Sequence, residues 1–289
     1  MKVAVIGANG QLGVDVCRAF LEKGDEVLEL DHDQIEITNF DSVQKILKEN
    51  QPGMIVNTAA MHHVEKCEQD PERAFLVNGI AEKNLAYISR EIHAVLIHIS
   101  TDYVFNGKKG SPYFETDLPN PINVYGNTKL SGEHFIQSCA ERYFILRTSA
   151  LYGNSPCRAK GGLNFVQLML KLARERGEVR VVDDERVSPT STWELAKQIV
   201  ILSHFEDYGL YHATAEGSCT WYEFAKEIFS QTGTQVKLSV ADPNEFPMKV
   251  PRPKYSVLEN QALKERKLNR FKHWSEALMD YLDGNKKHG

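Results

Sequence analysis

The sequence contains few cysteines and no long apolar run, and both absences narrow the class of protein. Its 289 residues include five cysteines, an odd number, and none of them forms a Cys-x-x-Cys pair. No apolar run approaches the ~20 residues that a membrane-spanning helix needs. The N-terminus also lacks the apolar core and the cleavage site of a signal peptide. We therefore expect a reduced, cytoplasmic protein with no membrane partner.

An excess of positive charge is also missing. The formal net charge is -5 at pH 7 and the isoelectric point is about 6.1, which argues against a nucleic-acid partner. Hydrophobic residues make up 42% of the chain and charged residues 25%, as in ordinary globular proteins. His62, His63 and Cys67 lack the spacing of a typical transition-metal ligand set, so we predict no metal site.

Strand-like and helix-like segments alternate along the first half of the sequence. Apolar runs at 2–8, 25–31, 53–60, 94–100 and 143–153 favour buried strands, and the amphipathic stretches between them favour helices. This alternation predicts an α/β fold, in which a Rossmann-type, doubly wound parallel sheet is joined to a smaller C-terminal α/β substrate domain.

Three glycines follow the first predicted strand at a spacing that suits a dinucleotide. Gly7, Gly10 and Gly13 form a Gly-x-x-Gly-x-x-Gly pattern, with Asn9 inside the loop, just before the first predicted helix. Such glycines let the backbone approach a pyrophosphate, and the N-terminus of the helix offers unpaired N–H groups to that anion. We therefore predict that this loop binds NADPH or NADH.

The next two strand ends bear on the same cofactor. Asp31 ends the second predicted strand, where a carboxylate can bond ribose hydroxyls and favours NADH; the less favoured alternative is a solvated turn residue. Ala59 and Ala60 end the third strand, and their small side chains either leave room for the cofactor or pack tightly. The choice between NADH and NADPH stays open.

The domain boundary is predicted where the alternation becomes less regular. We expect residues 1–153 to form the dinucleotide-binding domain and residues 154–289 to form mainly the substrate-binding domain, with segments near 180–205 returning to the first. One long helix is predicted over 71–92. The segment 241–256 holds four prolines and is predicted to be an irregular loop.

A hydroxyl, a phenol and an ammonium are predicted to meet at one edge of the sheet. Thr101 follows a strand, while Tyr125 and Lys129 stand four residues apart on one face of a predicted helix. We expect the Lys129 ammonium to lower the pKa of the phenol from its usual ~10. Tyr125 could then protonate a carbonyl oxygen that Thr101 holds, while Lys129 holds the nicotinamide ribose.

A resemblance to a known family rests on the segments GANGQLG (7–13), NTAA (57–60), ISTDYVFNG (99–107), PINVYGNTKLSGE (121–133), LRTSALYG (146–153), NFV (164–166), SPT (188–190) and RPKYS (252–256). Through them the sequence resembles the dTDP-4-dehydrorhamnose reductase family, within the extended short-chain dehydrogenase/reductase superfamily, over nearly the whole chain. The resemblance implies NAD(P)H-dependent reduction of the 4-keto group of a dTDP-4-keto-6-deoxy sugar, a step of dTDP-L-rhamnose biosynthesis. It also implies that Thr101, Tyr125 and Lys129 are the catalytic residues.

The resemblance further implies the residues that bind the small molecules. Those implied to touch the cofactor are Gly10, Gln11, Leu12, Asn39, Ala59, Ala60 and Met61. Asp102 and Tyr103 are implied to lie near a nucleotide-sugar substrate. Magnesium and a homodimer are admitted by this analogy alone, because no residue of the sequence identifies either.

Three sites near the implied substrate pocket bear on the reaction and on the sugar. Related dehydratases carry Thr-Asp-Glu where this chain has Thr101, Asp102 and Tyr103, so the missing Glu favours ketone reduction over loss of water. Ala150 stands where the family usually has a Trp that touches the sugar nucleotide. Arg252 lies between two prolines and is either a surface residue or a phosphate ligand.

Two other functions stay open. One relative of the family is a non-catalytic, dinucleotide-binding regulatory subunit of methionine adenosyltransferase, and the intact Thr-Tyr-Lys set makes this alternative less favoured. Sugar-nucleotide epimerases of the superfamily keep the same Tyr and Lys, so epimerisation is the third hypothesis.

Overall fold

The computed structural model describes residues 1–157, 161–242 and 250–286, so the predicted loop 241–256 lies partly outside the described residues. The strands are β1 (Lys2–Ile6), β2 (Glu26–Leu30), β3 (Met54–Asn57), β4 (Val95–Thr101), β5 (Tyr143–Thr148), β6 (Leu151–Tyr152), β7 (Glu178–Val181), β8 (Arg186–Val187), β9 (Thr190–Ser191), β10 (Gly209–His212), β11 (Cys219–Thr220) and β12 (Lys237–Val240). The helices are α1 (Gln11–Glu22), α2 (Phe40–Asn50), α3 (Val64–Gln69), α4 (Pro71–Phe75), α5 (Ala81–Glu91), α6 (Val124–Cys139), α7 (Phe165–Arg176), α8 (Thr192–Leu202), α9 (Trp221–Thr232), α10 (Gln261–Glu265) and α11 (Trp274–Lys286).

A six-stranded parallel sheet lies at the centre, in the order β10-β5-β4-β3-β1-β2. The chain moves outward from β1 to β2 and then returns to place β3 on the other side of β1. At such a reversal the connecting segments diverge and leave a crevice at the carboxyl ends of the strands. This topology confirms the predicted Rossmann-type α/β fold.

Helices cover both faces of this sheet. On one face, Phe20 of α1 and Ile199 of α8 belong to the apolar core beneath β1 and β3. On the other, Leu47 of α2 and Leu85 of α5 pack with residues of β1 and β4. Helix α8 and strand β10 therefore belong to the sheet unit, although both come late in the chain. The proposed division near residue 153 stays a prediction.

The smaller C-terminal unit has its own apolar core. Helices α7, α9 and α11 pack around Phe224 and Leu278, beside the two parallel strands β7 and β12. Asn164 and Thr220 cap α7 and α9 through reciprocal capping boxes, which satisfy N–H groups that the first turn leaves without helical partners. Helix α7 therefore begins directly after its cap, Asn164.

The helix predicted over 71–92 is not α-helical throughout. Helices α4 and α5 are joined by a π-helical turn, Leu76–Ile80, so the two run on without a break. A π turn inserts one residue and shifts the faces of the helix, which places Asn78 in a fully buried position. Hydrophobic spacing could not predict this turn, because the pattern on either side is ordinary.

Two features of the composition can be followed in the fold. All five cysteines are buried and none forms a disulfide. Within the described ranges, none of the helices has both the length and the apolar character that crossing a bilayer requires.

Candidate active site

The glycine loop between β1 and α1 is too tightly folded for larger residues. A Cβ atom on Gly13 would overlap the carbonyl oxygen of Gly7, which also accepts a hydrogen bond from the Gly10 N–H at 2.9 Å. Within the described ranges of the chain, no side chain caps α1, so the N–H groups of its first turn face the loop without a side-chain partner there. The Gln11 Nε2 atom is buried and has no partner among the described residues. This cradle fits the pyrophosphate of a dinucleotide.

The acidic residue at the end of β2 is held against this loop. Asn9 Nδ2 donates to Asp31 Oδ2 at 3.1 Å, and the other oxygen accepts from the Asp33 N–H at 3.0 Å. Asn39 caps α2 by accepting from the Ser42 N–H at 3.2 Å. Asp31 is therefore placed beside the glycine loop, whereas the side chain of Asn39 already has a local structural role.

The loop after β3 is fixed by two buried asparagines. The Ala59 N–H donates to Asn57 Oδ1 at 3.0 Å, and the Met61 N–H donates to Asn78 Oδ1 at 2.8 Å. Asn78 also donates to the Met61 carbonyl at 2.9 Å and to Thr128 Oγ1 at 3.0 Å. The π turn thus ties the predicted cofactor loop, which includes Ala60, to helix α6. Sequence reasoning missed Asn78.

Thr101 and Tyr125 are brought together by the close approach of α6 to the end of β4. A Cβ atom on Gly126 would overlap the carbonyl oxygen of Tyr103, so only glycine allows this contact. The Thr101 hydroxyl lies close enough to the Tyr125 phenol to oppose the rise in the pKa of the phenol, and Thr101 Oγ1 accepts from the Tyr103 N–H at 3.1 Å. The phenol and the hydroxyl therefore form one polar pair at the carboxyl edge of the sheet.

Lys129 follows Tyr125 on the same helix and is only 2% exposed. Burial lowers the pKa of its ammonium, and the nearby carboxylates of Glu82 and Glu133 oppose that shift. In the part of the chain that the structure describes, no side chain or carbonyl hydrogen-bonds the Lys129 ammonium, whose donors are thus left for a ligand.

The pKa of Tyr125 differs from the sequence-based expectation. Burial raises the pKa of the phenol, the Thr101 hydroxyl opposes the rise, and the Asp102 carboxylate adds to it. Lys129 is not among the principal causes. The expected lowering by the ammonium is therefore wrong for the protein alone, because the burial of the phenol has the largest effect on its pKa.

Several buried polar side chains lie near Lys129, and the sequence analysis did not predict them. Glu82 accepts from Asn57 Nδ2 at 2.7 Å, and its other oxygen lies 3.1 Å from His98 Nδ1. Burial lowers the pKa of His98, an effect that Glu82 opposes and Lys129 strengthens. Glu133 stands four residues after Lys129, a spacing that could have revealed it.

Asp102 is nearly inaccessible, at 3% exposure, and hydroxyl groups surround its carboxylate. Oδ1 accepts from Thr101 at 3.1 Å, while Oδ2 accepts from Ser149 at 2.8 Å and from Ser256 at 2.5 Å. Both serines lie in segments that carried the resemblance, but neither was predicted as a site residue. The implied contact of Asp102 with sugar stays a prediction.

The remaining predicted substrate residues lie around the Asp102 carboxylate. The Tyr103 ring packs edge-on against the Tyr125 ring, with centroids 5.8 Å apart. Ala150 has a φ of +46°, a left-handed conformation unusual for alanine. Arg252 donates to Glu65 at 2.5 Å and its charge also interacts with Tyr103. Arg252 thus faces the same pocket and is ion-paired there.

No cluster of metal ligands is found among the described residues, where no three His, Cys, Asp or Glu side chains converge. His62 Nε2 lies 3.8 Å from the Cys157 sulfur, and His63 Nδ1 lies 3.2 Å from Glu65. These two histidines therefore face different partners.

The fold places the chain among Rossmann-type α/β proteins, and comparison with known proteins is more specific. The family model of the RmlD substrate binding domain matches residues 1–286. The spore coat polysaccharide biosynthesis protein SpsK of Bacillus subtilis (strain 168) is 42% identical over 282 residues, covering 97% of this chain and 96% of that protein. The chain belongs to the RmlD substrate binding domain family.

Two solved structures share this fold over nearly their whole length. A dTDP-4-dehydrorhamnose reductase from Clostridium acetobutylicum ATCC 824 is 40% identical with a TM-score of 0.94, covering 99% of this chain and 100% of that one. A dTDP-4-dehydrorhamnose reductase from Bacillus anthracis str. Ames, in complex with NADP, is 37% identical with a TM-score of 0.93, covering 98% and 99%. The predicted family and fold class are confirmed.

Proposed function

We propose that this protein is a nicotinamide-dependent reductase that converts the 4-keto group of a dTDP-4-keto-6-deoxy sugar to an alcohol, as in dTDP-L-rhamnose biosynthesis. The observation that carries the proposal is that the Thr101 hydroxyl and the Tyr125 phenol meet at the carboxyl edge of the sheet, close enough for the hydroxyl to act on the pKa of the phenol. The names of the two solved relatives support the choice of sugar nucleotide.

The cofactor is proposed to bind along the glycine loop. Its pyrophosphate would lie on Gly10, Gln11 and Leu12, whose backbone begins α1. Its riboses would lie near Asp31 and near the Lys129 ammonium. When bound, a reduced nicotinamide supplies the hydride for the ketone carbon. The loop after β3 would close the crevice on the other side.

Side chains of the protein itself supply the proton and orient the ketone oxygen. Tyr125 donates its phenolic proton to the ketone oxygen as that oxygen gains negative charge. Thr101 bonds the same oxygen and fixes its position. Because burial keeps the pKa of Tyr125 high, the phenol carries its proton throughout the neutral range. Tyr103 replaces the carboxylate that a dehydratase would use, so removal of a proton from the sugar ring lacks its usual base.

The test is a panel of 4-keto sugar nucleotides in which loss of reduced cofactor is followed by absorbance, with NADPH and NADH in parallel. We expect consumption with the dTDP-4-keto-6-deoxy sugar and none with dTDP-glucose, which lacks the ketone. A regulatory subunit would bind dinucleotide without consuming it. An epimerase would retain NAD+ through purification and cause no net consumption.

Arg252 is proposed to bind the diphosphate of the substrate after leaving Glu65. We expect Arg252→Ala to raise the KM for the nucleotide sugar by about tenfold or more, as loss of a charged hydrogen bond does, with kcat changed by less than about threefold. Glu65→Gln should lower the same KM, because it releases the guanidinium from its 2.5 Å ion pair. Steady-state kinetics measure both constants.

The matched control is Arg90→Ala, which removes an exposed guanidinium of α5 that lies over the Tyr87 ring. Its kinetic constants should equal those of the unaltered protein. An unchanged KM in Arg252→Ala would assign Arg252 to structure alone.

A further inference from the structure

Two distant segments and the neighbouring Thr101 meet at the Asp102 carboxylate, which the proposed reaction does not use. Thr101 lies at the end of β4, Ser149 just after β5, and Ser256 in the segment that follows Arg252. Ser149 and Ser256 both donate to Oδ2, while Thr101 donates to Oδ1. The two oxygens of one buried carboxyl therefore have different partners.

This asymmetry decides where a proton on Asp102 would lie. Oδ2 already receives two hydroxyl protons, so an added proton belongs on Oδ1, where it faces Thr101. Thr101 has a single hydroxyl proton. When Asp102 is ionised, that proton points at Oδ1. When Asp102 is protonated, Thr101 can accept from it and can donate first to the ketone oxygen and then, after the reduction, to the Tyr125 phenolate.

We propose that Asp102 is the proton reserve of the site, which reloads Tyr125 through the Thr101 hydroxyl after each reduction. This role rests on the proposed function, in which every turnover consumes one proton from the phenol. The Tyr125 phenolate takes the hydroxyl proton of Thr101, and Thr101 takes the carboxyl proton of Asp102. The net change is one carboxylic acid and one phenolate converted to one carboxylate and one phenol, and solvent later returns a proton to Asp102.

The direction of this transfer is set by the environment of the two groups. Burial raises the pKa of Asp102 to about 6 and raises that of Tyr125 well above its usual value. The phenolate is therefore a much stronger base than the carboxylate, and the transfer runs downhill. The titratable groups that interact with Asp102 are Tyr103, beside it in the chain, and Tyr125, from α6.

Asp102→Asn separates a relay from a merely structural role. With the amide oxygen in the place of Oδ2, the amide nitrogen would donate to Thr101 as the protonated acid does, but it has no acidic proton to give. We expect one rapid equivalent of reduction per site, from the preloaded Tyr125, followed by turnover slowed by about tenfold or more. Stopped-flow absorbance resolves the two phases.

The pH dependence of kcat, in the unaltered protein and in two serine variants, tests the same role of Asp102. In the unaltered protein kcat should fall as the pH rises through about 6, the pKa of Asp102, because the protonated acid is the active form. Ser149→Ala removes a donor that favours the carboxylate, so it should move this fall upward by about one pH unit. Ser138→Ala, at an exposed serine of α6 that donates to the His134 carbonyl, should not move it.

A titration of the protein alone, followed by isotope-edited infrared absorption of aspartate carboxyls, gives a readout that needs no turnover. A carboxyl band should disappear with a midpoint near pH 6, move in Ser149→Ala and be absent in Asp102→Asn. A first turnover in Asp102→Asn slowed as much as later ones, or unchanged kcat, would overturn the relay. An ordinary carboxyl midpoint near ~4 would do the same. Absence of any reduction by the unaltered protein would instead overturn the proposed function.

Discussion

Tyr125→Phe is expected to lose nearly all turnover and to keep normal affinity for the dinucleotide. The substitution removes one oxygen and with it the proton that the proposed reaction gives to the ketone. Loss of a positioned general acid costs a factor of about 10²–10⁴, so we expect kcat to fall about 10³-fold. The remaining ring can keep its edge-on contact with Tyr103, so the pocket should hold its shape.

Two measurements check this expectation. Steady-state loss of reduced cofactor gives kcat, and a fluorescence titration gives the Kd for the dinucleotide. Tyr87→Phe, at an exposed tyrosine of α5, is the matched control and should leave both values unchanged. A Tyr125→Phe variant that turns over within about threefold of the unaltered protein would remove the phenol from the mechanism, because general acids contribute far more.

The fold could be predicted because its central strands are buried runs separated by amphipathic helices. The stretches at 2–8, 53–60 and 94–100 became β1, β3 and β4 since a parallel sheet covered on both faces needs continuous apolar strands. β10 (Gly209–His212) was not predicted, because four residues that include a glycine and a histidine carry no strand pattern.

Motif residues were easier to find than the residues that hold them. Thr101 and Tyr125 stand at the ends of elements, where the sheet topology brings them together. Ser149 and Ser256 lie 47 and 154 residues from Asp102, and no local pattern connects them to it. Asn78 is placed by a π turn, which depends on packing against α6 and not on hydrophobic spacing.

The most destabilising change is expected at a buried ion pair below the site. Arg147 donates from Nε to Glu133 Oε1 at 2.9 Å and from Nη2 to Oε2 at 2.6 Å, and the two residues are only 2% and 1% exposed. Glu133→Gln leaves the guanidinium buried without its counter-charge. Breaking a buried pair in this way costs about 3–5 kcal/mol, so the free energy of unfolding measured in urea should fall by that amount.

The control is an exposed pair of the same kind. Lys48 and Glu91 lie 2.6 Å apart, but their side chains are 38% and 53% exposed, so solvent screens them. Glu91→Gln should leave the free energy of unfolding almost unchanged. A similar small effect in Glu133→Gln would show that Arg147 finds other compensation and that the pair does not hold α6 on β5.

The double variant Glu133→Leu with Arg147→Met separates stability from activity. Replacing both charges by apolar side chains removes the uncompensated guanidinium, and such replacements of buried pairs are often neutral or stabilising, so we expect most of the lost stability to return. We expect the double variant to stay less active than the unaltered protein, because Glu133 is one of the two carboxylates that oppose the lowering of the Lys129 pKa. When only the Glu82 carboxylate remains near Lys129, the pKa of the buried ammonium would fall further. Lys129 would then lose its proton more readily and bind the cofactor ribose more weakly. Full activity in the restored fold would confine Glu133 to a structural role.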